Sequence, residues 1–269
     1  MVSRPWNNVI NPRAPWPACP AWNRSKTRRC AICGRFVQHS APDLYASQFE
    51  VDVPCAASPR YNLAPTQPVL AVRQTTAGTR ELLPLRWGLV PAWSDGPDRR
   101  YSMFNARAET LHAKPAYRNA FKHRRCLIPA EGFYEWQTLG REKIPYLIRR
   151  QDGQPFGMAG LWEAWQGEDG APLLSCTIIV TDANRLIAPL HDRMPVILAP
   201  ADYDAWLDPG TTDTECLRAL LRPADPGPWT IEEVSRKVNS PRNEGPELLE
   251  PVAGRGLNDS DRVGGTGYP

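Results

Sequence analysis

The stretch "RRCAICGRFVQ" (28–38) holds Cys30 and Cys33, two of the seven cysteines of a 269-residue chain. Thiols at that spacing can form half a zinc site or a redox couple, or include one nucleophile. A zinc site needs two more ligands, and no second close pair exists: His39, His112, His123 and His191 are dispersed. A thioredoxin-like couple opens a helix after a strand, whereas Gly34 and the strand-like "RFV" follow directly here. The metal and redox readings therefore lack partners, and a core residue or a nucleophile stands ahead of them for Cys33.

Other polar residues sit inside apolar, strand-like text. Glu135 in "GFYEWQ" lies among aromatics, where desolvation raises a carboxylate toward neutrality and suits it to general acid work. His191 in "APLHDRMPVIL" carries an imidazole that titrates near neutral pH. Asn105 and Arg107 in "FNARAET" offer an amide donor and a phosphate-binding fork. Structural roles compete in each case, since Glu135 can pair with an arginine and His191 can cap a helix end. Sequence spacing does not by itself bring the four together.

The elements that must position them are short. "PVLAVRQ", "RELLPLRWG", "RCLIPA", "GFYEWQ", "IPYLIRR", "PFGMAGLWEAW", "LLSCTIIVTD", "RMPVILA" and "WTIEEVS" read as strands bounded by Pro, Gly or Asp. Helices are expected near Asp43–Glu50 and over 115–123, 182–189, 201–207 and 213–221. Strands and helices do not alternate regularly, which argues against a doubly wound parallel sheet. The expectation is an α+β fold on a mostly antiparallel, barrel-like sheet flanked by short helices.

Residues 1–31 contain Pro5, Pro12, Pro15, Pro17 and Pro20 with no apolar period and read as a disordered extension, in which Trp6, Trp16 and Trp22 are unusual. Residues 253–269 are Gly-rich and polar, a flexible tail. One domain over 32–252 lies between. The formal charge of +3 includes six cations and no acid in 1–31 and zero net in 253–269, so the domain itself carries −3. Bulk charge therefore gives no argument for nucleic acid; a DNA site must be a local basic groove, drawn from "YRNAFKHRR" (117–125) or Arg99–Arg100. No apolar run approaches the roughly twenty residues of a membrane span, and no secretory h-region opens the chain. A cytoplasmic monomer with no membrane partner is expected, nucleoid-associated if such a groove binds DNA. With no G-x-G-x-x-G and no Walker A sequence, no nucleotide cofactor is expected, and no metal either.

Seven motifs occur in order: "CGRF" (33–36), "RYNLAPTQ" (60–67), "RWGLVPAW" (86–93), "NARAET" (105–110), "AEGFYEW" (130–136), "HDRMPVIL" (191–198) and "VSRKVNSPRNEG" (234–245). Together they resemble the SRAP family, the SOS response-associated peptidases or abasic-site processing proteins. The resemblance implies a protein that binds single-stranded DNA holding an abasic site. It implies a reversible thiazolidine link through an N-terminal cysteine, formed by its α-amine and thiol with the sugar aldehyde. Cys33 would be that residue, with Asn105 orienting the cysteine or the sugar and Glu135 and His191 moving protons. Arg35 and Arg107 would hold phosphates, and Pro65 and Trp87 would touch splayed bases, burial in the core being the competing role for Trp87. Asn62, Arg118, Ser235 and Arg236 complete the implied DNA-binding set.

In the family pattern methionine directly precedes the cysteine; here Ile32 does. As written, the nitrogen of Cys33 is an amide and cannot condense with an aldehyde. Three explanations compete: initiation at Cys33's immediate predecessor, self-cleavage between Ile32 and Cys33, or loss of crosslinking. The first is favoured, because domain-like text begins abruptly at Cys33. The alternative functions are a thiol autopeptidase that removes the preceding segment and a non-catalytic binder of single-stranded DNA.

Overall fold

Runs of β-branched, leucine and aromatic residues too short for helices fill most of residues 60–235, and such runs are stabilised by pairing side by side. The computed structural model describes residues 33–52, 55–97, 103–167 and 170–256. The proposed extension with its tryptophans, Cys30, and the pair Arg99–Arg100 lie outside the described residues. In chain order the elements begin β1 (Phe36–Gln38), α1 (Pro42–Phe49), β2 (Arg60–Leu63), β3 (Pro68–Gln74), β4 (Arg80–Trp87) and β5 (Asn105–Arg107). They continue α2 (Arg118–His123), β6 (Arg125–Ala130), β7 (Gly132–Leu139), β8 (Glu142–Arg150), β9 (Phe156–Gln166) and β10 (Pro172–Asp182). Last come β11 (Arg193–Pro195), β12 (Ile197–Leu198), α3 (Tyr203–Leu207), α4 (Thr214–Ala219), β13 (Trp229–Val234) and β14 (Pro251–Gly256).

Two sheets result. The first is a curled antiparallel sheet in the order β14-β13-β8-β7-β1-β2. The second runs β10-β4-β3-β6-β9 and closes on itself because β9 also pairs with β10, giving a five-stranded barrel in which only β10–β4 is parallel. The α+β, mostly antiparallel and barrel-like expectation holds. Closure leaves little room inside: a Cβ on Gly160 would stand 2.9 Å from Cys126 Sγ and 3.0 Å from the Thr177 carbonyl oxygen. β5 and β11 both flank the C-terminal half of β10, with Ile178 opposite Asn105, Val180 opposite Arg107, and Asp182 opposite Arg193.

The strands' period of two sorts side chains between two cores. Phe36, Leu63, Leu85, Phe133, Ile148, Met158 and Ile178 fill the core shared by the two sheets. Val72, Leu127, Leu161 and Ile179 face the other way and are covered by Tyr45, Phe49, Phe121, Trp206 and Leu217 of the four helices. Helices of five or six residues such as α2 and α3 do not persist alone, and here a buried arginine ends both. Arg125 donates to the Phe121 and Lys122 carbonyls at 2.9 and 2.6 Å and to the Trp206 carbonyl at 2.6 Å, satisfying the last turns of α2 and α3. Burial lowers its pKa to about 10.

Two expectations are corrected. Residues 182–189 do not form a helix: Asp182 ends β10 and successive turns cover 185–190. Asn184 Oδ1 accepts from the Leu186 and Ile187 N–H groups at 3.1 and 3.0 Å, competing with helical bonding, and Pro189 lacks a donor. The tail is also shorter than expected: β14 runs to Gly256 and pairs with β13, Val234 opposite Pro251 and Glu232 opposite Gly256.

Candidate active site

Alternation along β7 decides where its carboxylate goes. Phe133 joins the core between the sheets while Tyr134 packs on the opposite face, so Glu135 shares the face of Phe133 and is buried. β1 lies antiparallel beside β7, Phe36 opposite Phe133, and the Tyr134 N–H donates to the Arg35 carbonyl at 3.0 Å. That register carries the residues before β1 alongside Glu135. The Cys33 N–H donates to Glu135 Oε1 at 2.7 Å. Cys33 is itself buried and has a left-handed backbone, φ 44°.

The two groups set each other's protonation. Burial pushes the Glu135 carboxyl up to about 7, against the lowering effect of hydrogen bonds from Cys33 and the Trp136 N–H; Asp192 adds a further push upward. Burial, and then the Glu135 charge, push the Cys33 thiol well above its ordinary value. Near neutral pH the pair is thus a protonated thiol beside a carboxyl that can either give or take a proton.

His191 follows the turns after β10, its side chain only 9% exposed. Its Nδ1 is 2.8 Å from Asp192 Oδ1 and accepts from the Arg193 N–H at 3.0 Å. Burial lowers the imidazole pKa; Asp192 opposes this, while Arg193 and Lys143 reinforce it. Asn105 and Arg107 on β5 and Arg193 on β11 stand on either side of the end of β10, with Arg107 exposed and Arg193 bonded to Glu109 at 2.5 Å and Asp182 at 3.2 Å. Cys33 and Glu135 are therefore in direct contact, and Asp192, next to His191, is close enough to act on Glu135.

Two sequence-based assignments change, those of Trp87 and Asn62. Trp87 is fully buried, donates from Nε1 to the Phe104 carbonyl at 2.9 Å and meets Phe36 edge-on at 4.9 Å, so it is core and cannot touch a base. Asn62 is also fully buried: Nδ2 donates to the carbonyls of Val238, Ser240 and Asn243 at 3.2, 2.9 and 3.0 Å. It fastens the 234–245 motif to β2 instead of reaching DNA. Arg35 donates to Asn62 Oδ1 at 2.9 Å and to the Val238 carbonyl at 2.7 Å, so its fork is directed at the same turn.

The rest of the implied DNA set is spread over several elements. Ser235 caps the one-turn 3-10 helix Arg236–Asn239 by accepting from Lys237 N–H at 3.3 Å. Arg236 is exposed and pairs with Glu142 at 2.7 Å. Pro65 is half-buried in the turn between β2 and β3, and Arg118 is exposed at the start of α2 on the helical layer. Sequence reasoning missed Trp93, 69% exposed in the turn after β4; its setting between Pro91 and "SDG" was a readable loop signal. It also missed Asp192 and Arg193, both inside the motif quoted for His191. Among the described residues, no three His, Cys, Asp or Glu side chains are grouped to hold a metal ion, and no helix is long and apolar enough to cross a membrane.

The protein is thus β-rich, a barrel and a curled sheet with Cys33 and the buried Glu135 joined just before β1. The chain belongs to the SRAP family: the family model "SOS response associated peptidase (SRAP)" matches residues 32–241. It is 43% identical over 223 residues to the abasic site processing protein YoqW of Bacillus subtilis (strain 168), covering 81% of this chain and 99% of that one. It is 32% identical over 230 residues to the abasic site processing protein YedK of Escherichia coli (strain K12), covering 82% and 100%. A crystal structure of a Bacteroides thetaiotaomicron protein superposes with a TM-score of 0.73 at 26% identity, covering 82% of this chain and all of that one.

Proposed function

We propose that this protein processes abasic sites in DNA, binding them in single strands and forming a reversible thiazolidine with Cys33 once that residue is N-terminal. The relatives' names carry the abasic-site assignment. The single observation that supports the chemistry is the 2.7 Å bond between the Cys33 nitrogen and Glu135.

A free α-amine at that position has a reference pKa of about 7.7–8.0, close to that of the carboxyl facing it, so proton transfer between them is nearly balanced. Glu135 takes the ammonium proton, and the amine adds to the C1 aldehyde of the opened sugar. The carbinolamine hydroxyl leaves as water after receiving a proton from Glu135 or His191. The thiol then adds to the imine carbon, its proton returns to nitrogen, and the five-membered ring closes with one water released overall. Addition of water to the reopened imine reverses the link. Arg107 and Arg193 would bind flanking phosphates, and Trp93 would stack on a base.

A second reading rests on the same bond and on the left-handed backbone of Cys33. In the extended chain the Cys33 nitrogen is the leaving group of the Ile32–Cys33 amide. The thiol would add to the Ile32 carbonyl, the C–N bond would break as Glu135 protonates the nitrogen, and water would hydrolyse the thioester. Self-cleavage would then expose the amine that crosslinking needs.

Intact-mass spectrometry, before and after incubation with a single-stranded oligonucleotide holding one abasic site, tests both. The first spectrum shows whether the chain starts at Met1 or Cys33. An oligonucleotide-sized gain confined to the Cys33-started species and missing in Cys33→Ala supports crosslinking. No gain from a chain that does start at Cys33 overturns it.

A further inference from the structure

The imidazole of His191 has two partners competing for one nitrogen. Nδ1 is 2.8 Å from Asp192 Oδ1 and 3.0 Å from the Arg193 N–H. Donating to the carboxylate requires Nδ1–H and leaves Nε2 bare; accepting from the amide requires a bare Nδ1 and puts the proton on Nε2. The two contacts demand opposite tautomers.

The main chain here is fixed while the carboxylate is not. The Asp192 carbonyl accepts from the Ala183 N–H at 3.0 Å, and Arg193 pairs with Asp182 in the ladder. The Asp192 side chain is 84% exposed, so it can dock on the ring or turn to water. The Arg193 N–H stays in either case.

We propose that Asp192 is a positioning residue that selects the tautomer of His191. With the carboxylate docked, Nε2 is a base; with it withdrawn, the Arg193 N–H holds the ring with an acidic Nε2–H. As Nε2 takes a proton in one step, the Nδ1 proton passes to the Asp192 carboxylate, which releases it on turning to water; the neutral ring then holds an Nε2–H to give in another step. This rests on the reading of His191 as a proton carrier at this site. The other charges facing the ring are Lys143 of β8 and Arg193, both of which disfavour the imidazolium. Glu135 of β7 lies within the field of Asp192, and Glu109 and Asp182 are held by Arg193. Burial keeps the ring neutral, so its tautomer matters more than its charge.

Two-bond proton–nitrogen correlation spectra of the 15N-labelled full chain report the tautomer and titration of His191, assigned with His191→Gln. Wild type is expected to show a sizeable Nδ1–H population. Asp192→Asn, whose amide can donate to Nδ1, should shift the ring to Nε2–H and lower its midpoint, since a neighbouring negative charge is lost. Asp192→Glu should restore the wild-type pattern. An unchanged tautomer ratio and midpoint in Asp192→Asn, with the backbone amide spectrum otherwise preserved, overturns the proposal; if that variant does not fold, the same comparison is made with Asp192→Ser. These spectra need no DNA, so a wild-type chain that starts at Cys33 and forms no adduct would defeat the crosslinking reading while leaving the tautomer result to be judged by itself.

Discussion

The N–H of Cys33 and Oε1 of Glu135 meet at 2.7 Å across 102 positions of sequence. This bond places the nitrogen, not the sulfur, of the cysteine against the acid–base group. A thiol peptidase of the usual kind activates sulfur by lowering its pKa. Here burial and the Glu135 charge push the Cys33 thiol up, which favours a sequence in which nitrogen attacks first and sulfur follows onto an electrophilic imine.

Glu135 also links folding to pH. Its carboxyl is raised from 4.5 to about 7 by burial, so the fold favours the protonated form. That contribution is fully present below about pH 4.5 and is lost as pH rises through about 7. Glu135→Gln removes the titration, and so gains stability relative to wild type between pH 5 and pH 8. The difference should be at most about 3 kcal/mol. Urea denaturation of both proteins at the two pH values measures it, and a stability gap independent of pH would show that Glu135 is not raised. The same variant should slow crosslinking by about 10²–10⁴.

The two tryptophans of "RWGLVPAW" should behave oppositely. Trp87→Ala empties a site packed by Phe36 and Phe104 and should cost about 3–5 kcal/mol of stability. Trp93→Ala should alter stability by less than about 0.5 kcal/mol while weakening single-stranded DNA binding by about 1–3 kcal/mol. Thermal melts with fluorescence anisotropy on a labelled oligonucleotide separate the two. Unchanged affinity in Trp93→Ala would remove that residue from the DNA surface.

Why the sequence suggested Trp87 and not Trp93 is instructive. Both lie in one motif, and tryptophan's average burial does not tell them apart; only the register of β4 in the barrel does. The nine strand runs named from sequence all became strands, because period and boundary residues are local properties. β14 and the turns over 185–190 are not legible in the same way. The first is held by pairing with distant β13, and the second depends on Asn184 turning its side chain onto its own backbone. The contact of Cys33 with Glu135 was likewise invisible until β1 paired with β7.

Asn62 supplies a test of structure against DNA contact. Its buried amide satisfies three carbonyls of the 234–245 motif and accepts from Arg35. Asn62→Ala unties these carbonyls from β2, although the Val238 carbonyl keeps Arg35 and the Ser240 carbonyl keeps the Asn243 N–H, and should destabilise by about 1–3 kcal/mol, with faster hydrogen exchange over residues 236–243. Its effect on DNA should disappear when the protein is saturably folded, and the salt dependence of binding should keep its slope. A lower slope with unchanged stability would return Asn62 to the phosphate contacts.

Cys33 offers a comparison in which the usual order of glycine and alanine reverses. A side chain at φ 44° brings its Cβ toward backbone carbonyls, which costs about 1–2 kcal/mol, whereas glycine adopts that region freely but ordinarily costs about 0.5–1 kcal/mol in unfolded-chain entropy. In the extended chain, Cys33→Gly should therefore be as stable as Cys33→Ala or more so, by up to about 1 kcal/mol. In a chain that starts at residue 33 the preceding carbonyl is gone, φ no longer constrains the residue, and alanine should be the more stable of the two. Urea midpoints for the four proteins decide it. The same order in both chain lengths would show that the Ile32–Cys33 junction holds no strain, and would take away the structural support for cleavage there.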